Sequence, residues 1–325
     1  MNATDPSLAN ILQTQGNLEH YHVPKYQREY TWGKNEWEQL LNDIEENDVG
    51  YFMGSIICID DNEELGPGQS RIYDVVDGQQ RLTTLSIILM AIYRSLLDLS
   101  EEINDLDDEE SIEDYKLTMS SIRKQLVYKK NNVSNSENGY FKDKSKYCFL
   151  RVMPSTQKKN YDDYLHILNE LELINGKYNS KFCGLRRMYK AYDYFYKNIE
   201  ESYEGINDLL HKINSLKFIH ISVSSSSDAF TLFESLNNRG VPLSIMDIIK
   251  NKMLSSLEKE HDMNIDHAYE EWQELLAFIP EFKDQERFLR HYYNAFKVKE
   301  KRRIDKYTRA TKSNLIKIYT SVHLK

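Results

Sequence analysis

The stretch from Arg71 to Leu99 constrains this chain more than any other part of it. Ile72, Tyr73, Val75 and Val76 are the β-branched and aromatic residues of a strand. From Leu82 the period changes. Leu82, Leu85, Leu89, Ile92, Leu96 and Leu99 recur in steps of three and four, which predicts a helix with one apolar face. Between the two lies Asp77-Gly78-Gln79-Gln80-Arg81, polar and hinged on a glycine. A strand entering a helix through such a turn leaves free backbone N–H groups and a positive dipole end at the junction. That is a ready place for phosphate. Gly78 lets a ligand approach the backbone, and Arg81 can add a bidentate guanidinium. Asp77 beside a phosphate is repelled unless it holds a metal ion or orients a water. The competing reading of the same residues is a capped turn, with Asp77 as N-cap and Arg81 on the surface.

Before this stretch, Leu8, Ile11 and Leu12 predict a turn or two of helix, and His20 to Pro24 reads as extended chain. Lys25 to Trp32 is dense in aromatic rings and hydrogen-bonding groups. A helix is expected from about Asn35, burying Trp37, Leu40, Leu41 and Ile44, followed by a strand over Phe52 to Ile59. Asp60 to Ser70, with Gly66-Pro67-Gly68, reads as a hairpin-like turn region.

After Leu99 the composition changes. Ser100 to Asp114 carries nine acidic residues and no basic one, the mark of a solvated linker or exposed helix end rather than a metal site. Tyr115 to Leu216 reads as mostly helical, interrupted by the polar run Asn131 to Gly139. One of its helices carries Arg186, Arg187 and Lys190 with Tyr189, Tyr192 and Tyr196. Basic and aromatic groups so interleaved can stack on nucleic acid, but steps of three and four favour core packing. Phe218 to Val223 predicts a strand, and Ser227 or Asp228 the cap of a helix through Leu236. That helix is expected to stop at Asn237-Asn238-Arg239-Gly240, and Ser244 to Asp247 has the spacing of a capping box. The reading is an α+β chain in three parts: a small mixed α/β domain over 1–100, an acidic linker and helical region over 101–216, and a helical region over 217–325 that ends in a basic tail.

Several functions are set aside. The longest apolar run, Leu85 to Tyr93, is far short of the ~20 residues of a membrane helix, and the N-terminus has no signal-peptide pattern. Cys58, Cys148 and Cys183 are odd in number and widely spaced, which suits buried free thiols in a reducing cytoplasm. A net charge of −9 argues against a uniformly basic nucleic-acid coat, although local patches can bind an anion. There is no Walker A loop, G-x-S-x-G elbow, H-E-x-x-H or paired-cysteine motif, and His20 with His22 is weak ground for a metal site. Three polar clusters remain: Tyr26-Gln27-Arg28, Asp77 to Arg81, and Asn237-Asn238-Arg239 with Asp247. Each brings an arginine and amide or carboxylate groups, the inventory for binding a triphosphate and placing a metal and a water.

Three motifs carry a resemblance. Val23-Pro24-Lys25-Tyr26-Gln27-Arg28-Glu29-Tyr30-Thr31-Trp32 resembles a "[IV]PxYQRxYxW" opening, and Asp77 to Leu85 a "DGQQRLTTL" signature. Phe233 to Asp247 resembles "FExLNxRGxxLSxxD". Together, over about residues 20–300, they are similar to the DGQQR-motif family typified by the N-terminal, S-type domain of GmrSD modification-dependent restriction enzymes. The resemblance implies a ParB/sulfiredoxin-like α/β domain followed by a mostly helical region. It implies binding and hydrolysis of a nucleoside triphosphate (GTP, UTP, CTP or ATP, the base left open) with Mg²⁺, controlling DNA cleavage by an HNH-type nuclease. Relatives act against phage DNA, often modified DNA. On this resemblance Asp77 places Mg²⁺ or the attacking water, Gln80 orients that water, and Arg28 and Arg81 neutralise phosphate charge. Tyr26, Gln27, Gly78 and Gln79 contact the nucleotide, and Asn237, Arg239 and Asp247 close the site. The partners implied are DNA and an HNH-type nuclease domain or subunit, with no membrane and with oligomer formation open. The chain reaches Lys325 with no His-Asn-His pattern, so the nuclease is expected beyond it, in a separate polypeptide, or not at all. The alternatives from other classes are a ParB-like nucleotide-gated DNA-binding module without hydrolysis, and a nuclease in its own right.

Overall fold

The computed structural model describes residues 2–225 apart from 14–17, 25–26, 61–69, 101–102, 104–107, 131–139, 144–145, 157–158, 176–177 and 179. Beyond 225 it describes 228–229, 232–233, 249, 272, 274–279, 284–285 and 287–291. The chain divides into two compact units, Met1–Ser225 and Ser226–Lys325. In the second, 274–277 and 287–291 are helical, and Trp272 and Leu289 are buried.

The first unit is α+β. Its main sheet has six strands in the order β1-β9-β3-β4-β2-β8. These are β1 (Asn2–Thr4), β2 (Leu18–His22), β3 (Phe52–Ile59), β4 (Ser70–Asp77), β8 (Val152–Met153) and β9 (Lys217–Val223). β2 runs parallel to both β4 and β8, whereas β3 is antiparallel to β4 and parallel to β9. Around the sheet lie α1 (Leu8–Gln13), α2 (Lys34–Glu46), α3 (Gln79–Asp98), α4 (Glu109–Leu126), α5 (Asn160–Glu170), α6 (Arg187–Asn198) and α7 (Tyr203–Ser215). Helix α2 buries Trp37, Leu40, Leu41 and Ile44, the face its spacing predicts. Its first turn is tied by Glu36, whose carboxylate accepts the Gly33 N–H at 2.8 Å.

Helix α3 departs from the single apolar face expected. Every residue from Leu82 to Tyr93 is buried, with α4, α6 and α7 all packed against it. A helix apolar all round belongs inside a core, and Thr84 and Ser86 turn inward on the helix itself. Thr84 Oγ1 donates to the Gln80 carbonyl at 2.8 Å and Ser86 Oγ to the Thr83 carbonyl at 2.7 Å. The leucine stripe marks only the part of the surface that periodicity makes visible.

Two differences concern organisation. The region Tyr115 to Leu216, read as mostly helical, contains a second, antiparallel sheet in the order β5-β7-β6: β5 (Val127–Lys130), β6 (Tyr140–Asp143) and β7 (Lys146–Leu150). The polar run between β5 and β6 interrupts a strand pair as readily as a helix pair, so the break alone does not tell which flanks it. In addition, β9 fills the place between β1 and β3, so residues 217–223 complete the sheet of the first hundred residues. Contacts at such sequence separation leave no local signal. The helix expected through Leu236 lies mostly outside the described residues.

The tyrosines of α6 pack as their spacing suggests. Tyr192 is buried, Tyr189 and Tyr196 lie against the core, and the Tyr196 hydroxyl donates to Asp98 at 2.9 Å. Cys58, Cys148 and Cys183 are buried free thiols. Among the described residues no helix is long and apolar enough to cross a membrane.

Candidate functional site

Parallel strands β4, β2 and β8 lie side by side, so their carboxyl ends open at one edge of the sheet. In α/β architectures that edge is where ligands bind. Asp77 ends β4, Val23-Pro24 follows β2 and leads to Arg28, and Pro154-Ser155 follows β8. The first two motifs are thereby brought together. The third segment, Pro154 to Asn160, is one that the sequence did not single out, because its place depends on β8 pairing with β2.

The β4–α3 turn is built on Gly78, which caps α3 at φ 86°, ψ 0°, in the left-handed region. A Cβ there would stand 2.9 Å from the Ser55 carbonyl oxygen, so both conformation and space call for glycine. The capped-turn reading with Asp77 as N-cap does not hold: the cap is Gly78, without a side-chain cap bond. Asp77 instead accepts the Gly78 N–H. Burial raises its pKa, against the lowering effects of that bond and of the Arg81 and Arg28 charges. Arg81 is not a free surface arginine either. Its guanidinium lies over Gly54, where an added Cβ would meet Nη1 at 3.0 Å, and donates to the Ser55 carbonyl at 3.3 Å. Burial lowers the Arg81 pKa and Asp77 supports it. Gly54 (φ 120°) sits where the β3–β9 register shifts. A lone glycine inside a strand pattern is a signal for such a bulge, and Gly54 was visible on that ground.

Gln80 has a different duty from the one expected. Its Oε1 accepts the Thr31 N–H at 2.8 Å, and its Nε2 donates to the Glu29 carbonyl at 2.9 Å. Both ends of the amide therefore hold the Glu29–Thr31 backbone. Below it the Trp37 indole donates to Tyr30 Oη at 2.9 Å, and Tyr30 Oη lies 2.8 Å from Thr84 Oγ1. Arg187 of α6 donates to the Thr31 carbonyl at 2.6 Å. These bonds set Arg28 against the turn. Gln80→Ala takes the side-chain acceptor from the Thr31 N–H and a donor from the Glu29 carbonyl, and is expected to lower stability by roughly 1–3 kcal/mol. Thermal unfolding checks it, and an unchanged midpoint would remove the clamp from this account.

Beside the turn is a small cleft of about 10 Å³, the room of a single water, lined by Val23, Arg28, Tyr30, Gln79, Gln80, Thr83, Pro154, Ser155 and Asn160. Gln79 and Gln27 are buried, with Gln79 Nε2 3.4 Å from Gln27 Oε1. Arg28 is exposed, lines the cleft and lies within electrostatic reach of Asp77. Asp77, Gly78, Gln79, Gln80, Arg81, Gln27 and Arg28 thus occupy one corner of the sheet. Tyr26, Asn237, Arg239 and Asp247 lie outside the described residues. Among the described residues no group of three or more His, Cys, Asp or Glu is placed to hold a metal. His22 Nδ1 is 2.7 Å from Asp74 Oδ1 and His20 Nδ1 is 3.0 Å from the Leu150 carbonyl, so the two histidines serve separate bonds. A lone carboxylate such as Asp77 suits Mg²⁺, which takes one or two protein carboxylates and completes its shell with phosphate oxygens and water.

Residues 8–254 match the family described as the GmrSD restriction endonuclease, N-terminal domain. No curated protein matches the chain.

Proposed function

The chain belongs to the family of GmrSD restriction endonuclease N-terminal domains, and on that premise we propose that it is a nucleoside-triphosphate-hydrolysing regulatory domain. In this reading the nucleotide state governs DNA cleavage by an HNH-type nuclease module, against modified or phage DNA. The observation that carries the proposal is the arrangement at the β4–α3 turn. A half-buried carboxylate, Asp77, feels two guanidinium groups, Arg81 and Arg28, at a left-handed glycine. Arginines so placed bind phosphate oxygens in a fork geometry and neutralise charge that develops on a transferring phosphoryl group. Gly78 lets the backbone approach the ligand, and the burial that shifts both Asp77 and Arg81 strengthens each interaction made there. Asp77 would hold Mg²⁺, which would supply further neutralisation of phosphate charge.

The test is phosphate release from GTP, UTP, CTP and ATP with Mg²⁺, with and without DNA. Hydrolysis of at least one above background is the expected result. Tight binding without release would leave a nucleotide-gated DNA-binding module instead. Nicking of plasmid by this chain alone would make it a nuclease itself.

A further inference from the structure

We infer that the turn 180–186 and the outer face of α6 form a docking surface for duplex DNA. Lys181, Arg187 and Lys190 meet its phosphates, and Phe182 with Leu185 forms an apolar wedge for the minor groove. The inference rests on the family membership and on the DNA partner of the reading above, not on hydrolysis. In a chain of net charge −9, residues 173–192 carry five basic residues and no acidic one. Helix α6 turns Met188, Ala191, Tyr192 and Phe195 into the core. Arg187 and Lys190, three residues apart, are thereby left on its exposed side, and Lys181 is exposed as well. Asp163 is taken by Arg186 and Asp193 by Lys197 at 2.7 Å, while Glu170 lies 3.4 Å from His166 Nε2. A local excess of cations on an acidic protein is complementary to a phosphate backbone.

Phe182 is the second, independent observation. Its side chain is 76% exposed, and Leu185 is 72% exposed. The two stand three residues apart at the 3₁₀ turn Cys183–Leu185, where the Leu185 N–H donates to the Phe182 carbonyl at 3.1 Å. Phe182 has φ 58°, ψ 24°, in the left-handed region that a bulky residue enters only at a cost. Folding gains nothing from an aromatic ring held strained and in water, which points to a use outside the fold. The turn is a firm platform for it: Arg186 donates to the Lys181 carbonyl at 2.9 Å and grips the buried Asp163, and Ser180 Oγ donates to Asp163 at 2.6 Å. Phenylalanine and leucine are side chains that wedge between base steps, and flanking cations hold the phosphates on either side. The surface also adjoins the candidate site. Arg187 donates to the Thr31 carbonyl, and Gln80 accepts the N–H of that same residue.

The experiment measures binding of a labelled DNA duplex by fluorescence anisotropy, from about 50 to 200 mM salt. It compares the wild type, Lys181→Glu/Lys190→Glu and Phe182→Gly, with the melting midpoint of each. Wild-type affinity should fall as salt rises. The double variant should lose at least about tenfold at the lower salt and flatten the log–log salt slope by about 2, at ~0.9 per phosphate contact. Phe182→Gly should lose about tenfold with the slope unchanged. It should melt no lower than the wild type, because glycine takes a left-handed φ without strain. Phosphate release without DNA should match the wild type in both variants, since none of the three residues belongs to the β4–α3 turn. A wild type that binds no duplex, variants that bind as the wild type does, or tighter binding of single-stranded DNA would each overturn the inference. So would a Phe182→Gly protein that melts well below the wild type, since the ring would then serve the fold. Duplex binding with these variant effects but no phosphate release from any nucleotide would support this surface and overturn the hydrolysis reading alone.

Discussion

Arg81→Ala is expected to abolish phosphate release while the protein remains folded. The guanidinium sits beside the start of α3, over Gly54, and its one described bond is a 3.3 Å contact to the Ser55 carbonyl. Its removal takes little from the core, because the buried run of α3 begins at Leu82. A charge-assisted phosphate contact is worth about 1.5–3 kcal/mol in binding, and loss of a donor aimed at developing charge costs about 10²–10³ in rate. Arg81→Lys should recover only part of this, since an ammonium cannot lie flat on a glycine backbone and grip two oxygens. Asp77 gives the mutation a second signature. Burial raises the Asp77 pKa and Arg81 holds it down, so Arg81→Ala raises it further. Any remaining step that needs ionised Asp77, including Mg²⁺ binding, then fails at higher pH on acidification than in the wild type. The same raised pKa bears on folding with the opposite sign. Protonated Asp77 favours the folded state, and its burial becomes a cost as pH rises past the ordinary carboxylate value. Steady-state release at saturating nucleotide checks the main claim, and unchanged turnover would contradict it.

The largest expected effect on stability lies away from the turn. Asp163 of α5 is fully buried, and Arg186, whose side chain is 27% exposed, grips it through Nε at 2.6 Å and Nη2 at 2.5 Å. Ser180 Oγ donates to the same carboxylate at 2.6 Å. Cys183 stands beside them, its thiol pushed up to about 12, first by burial and then by Asp163. Arg186→Leu leaves a buried carboxylate with the Ser180 hydroxyl and the Cys183 thiol as its side-chain donors among the described residues. Breaking a buried pair from one side costs about 3–5 kcal/mol, which for a unit of this size lowers the melting midpoint by roughly 6–20 °C. The double variant Asp163→Leu/Arg186→Leu should regain much of the loss, because the cost comes from the stranded charge. A single variant as stable as the wild type would show that water reaches Asp163 and that the pair contributes little.

What could be read in advance follows from the range of the forces involved. The turn, α2, β3 and β9 were legible because local spacing and residue type determine them: Trp37, Leu40, Leu41 and Ile44 share a face whatever the rest of the chain does. The charge near Asp77 was legible for the same reason. The pairing of β8 with β2 was not, and it alone brings Pro154, Ser155 and Asn160 beside Gln79. Gln80 shows the limit at one residue. Its type fits a water-orienting role, but the approach of Glu29 and Thr31 uses both ends of its amide, and those contacts span 51 and 49 residues. Likewise β9 is a plain strand pattern whose partners, β1 and β3, lie far earlier in the chain.

The most direct test of the central claim is a crystal structure of the protein with Mg²⁺ and a non-hydrolysable nucleoside triphosphate. The account predicts phosphate oxygens within hydrogen-bond distance, about 2.7–3.2 Å, of the Arg81 guanidinium at the β4–α3 turn, with Arg28 on the same phosphates. A triphosphate seated elsewhere, with Arg81 still closed over Gly54 and bonded to Ser55, would contradict it.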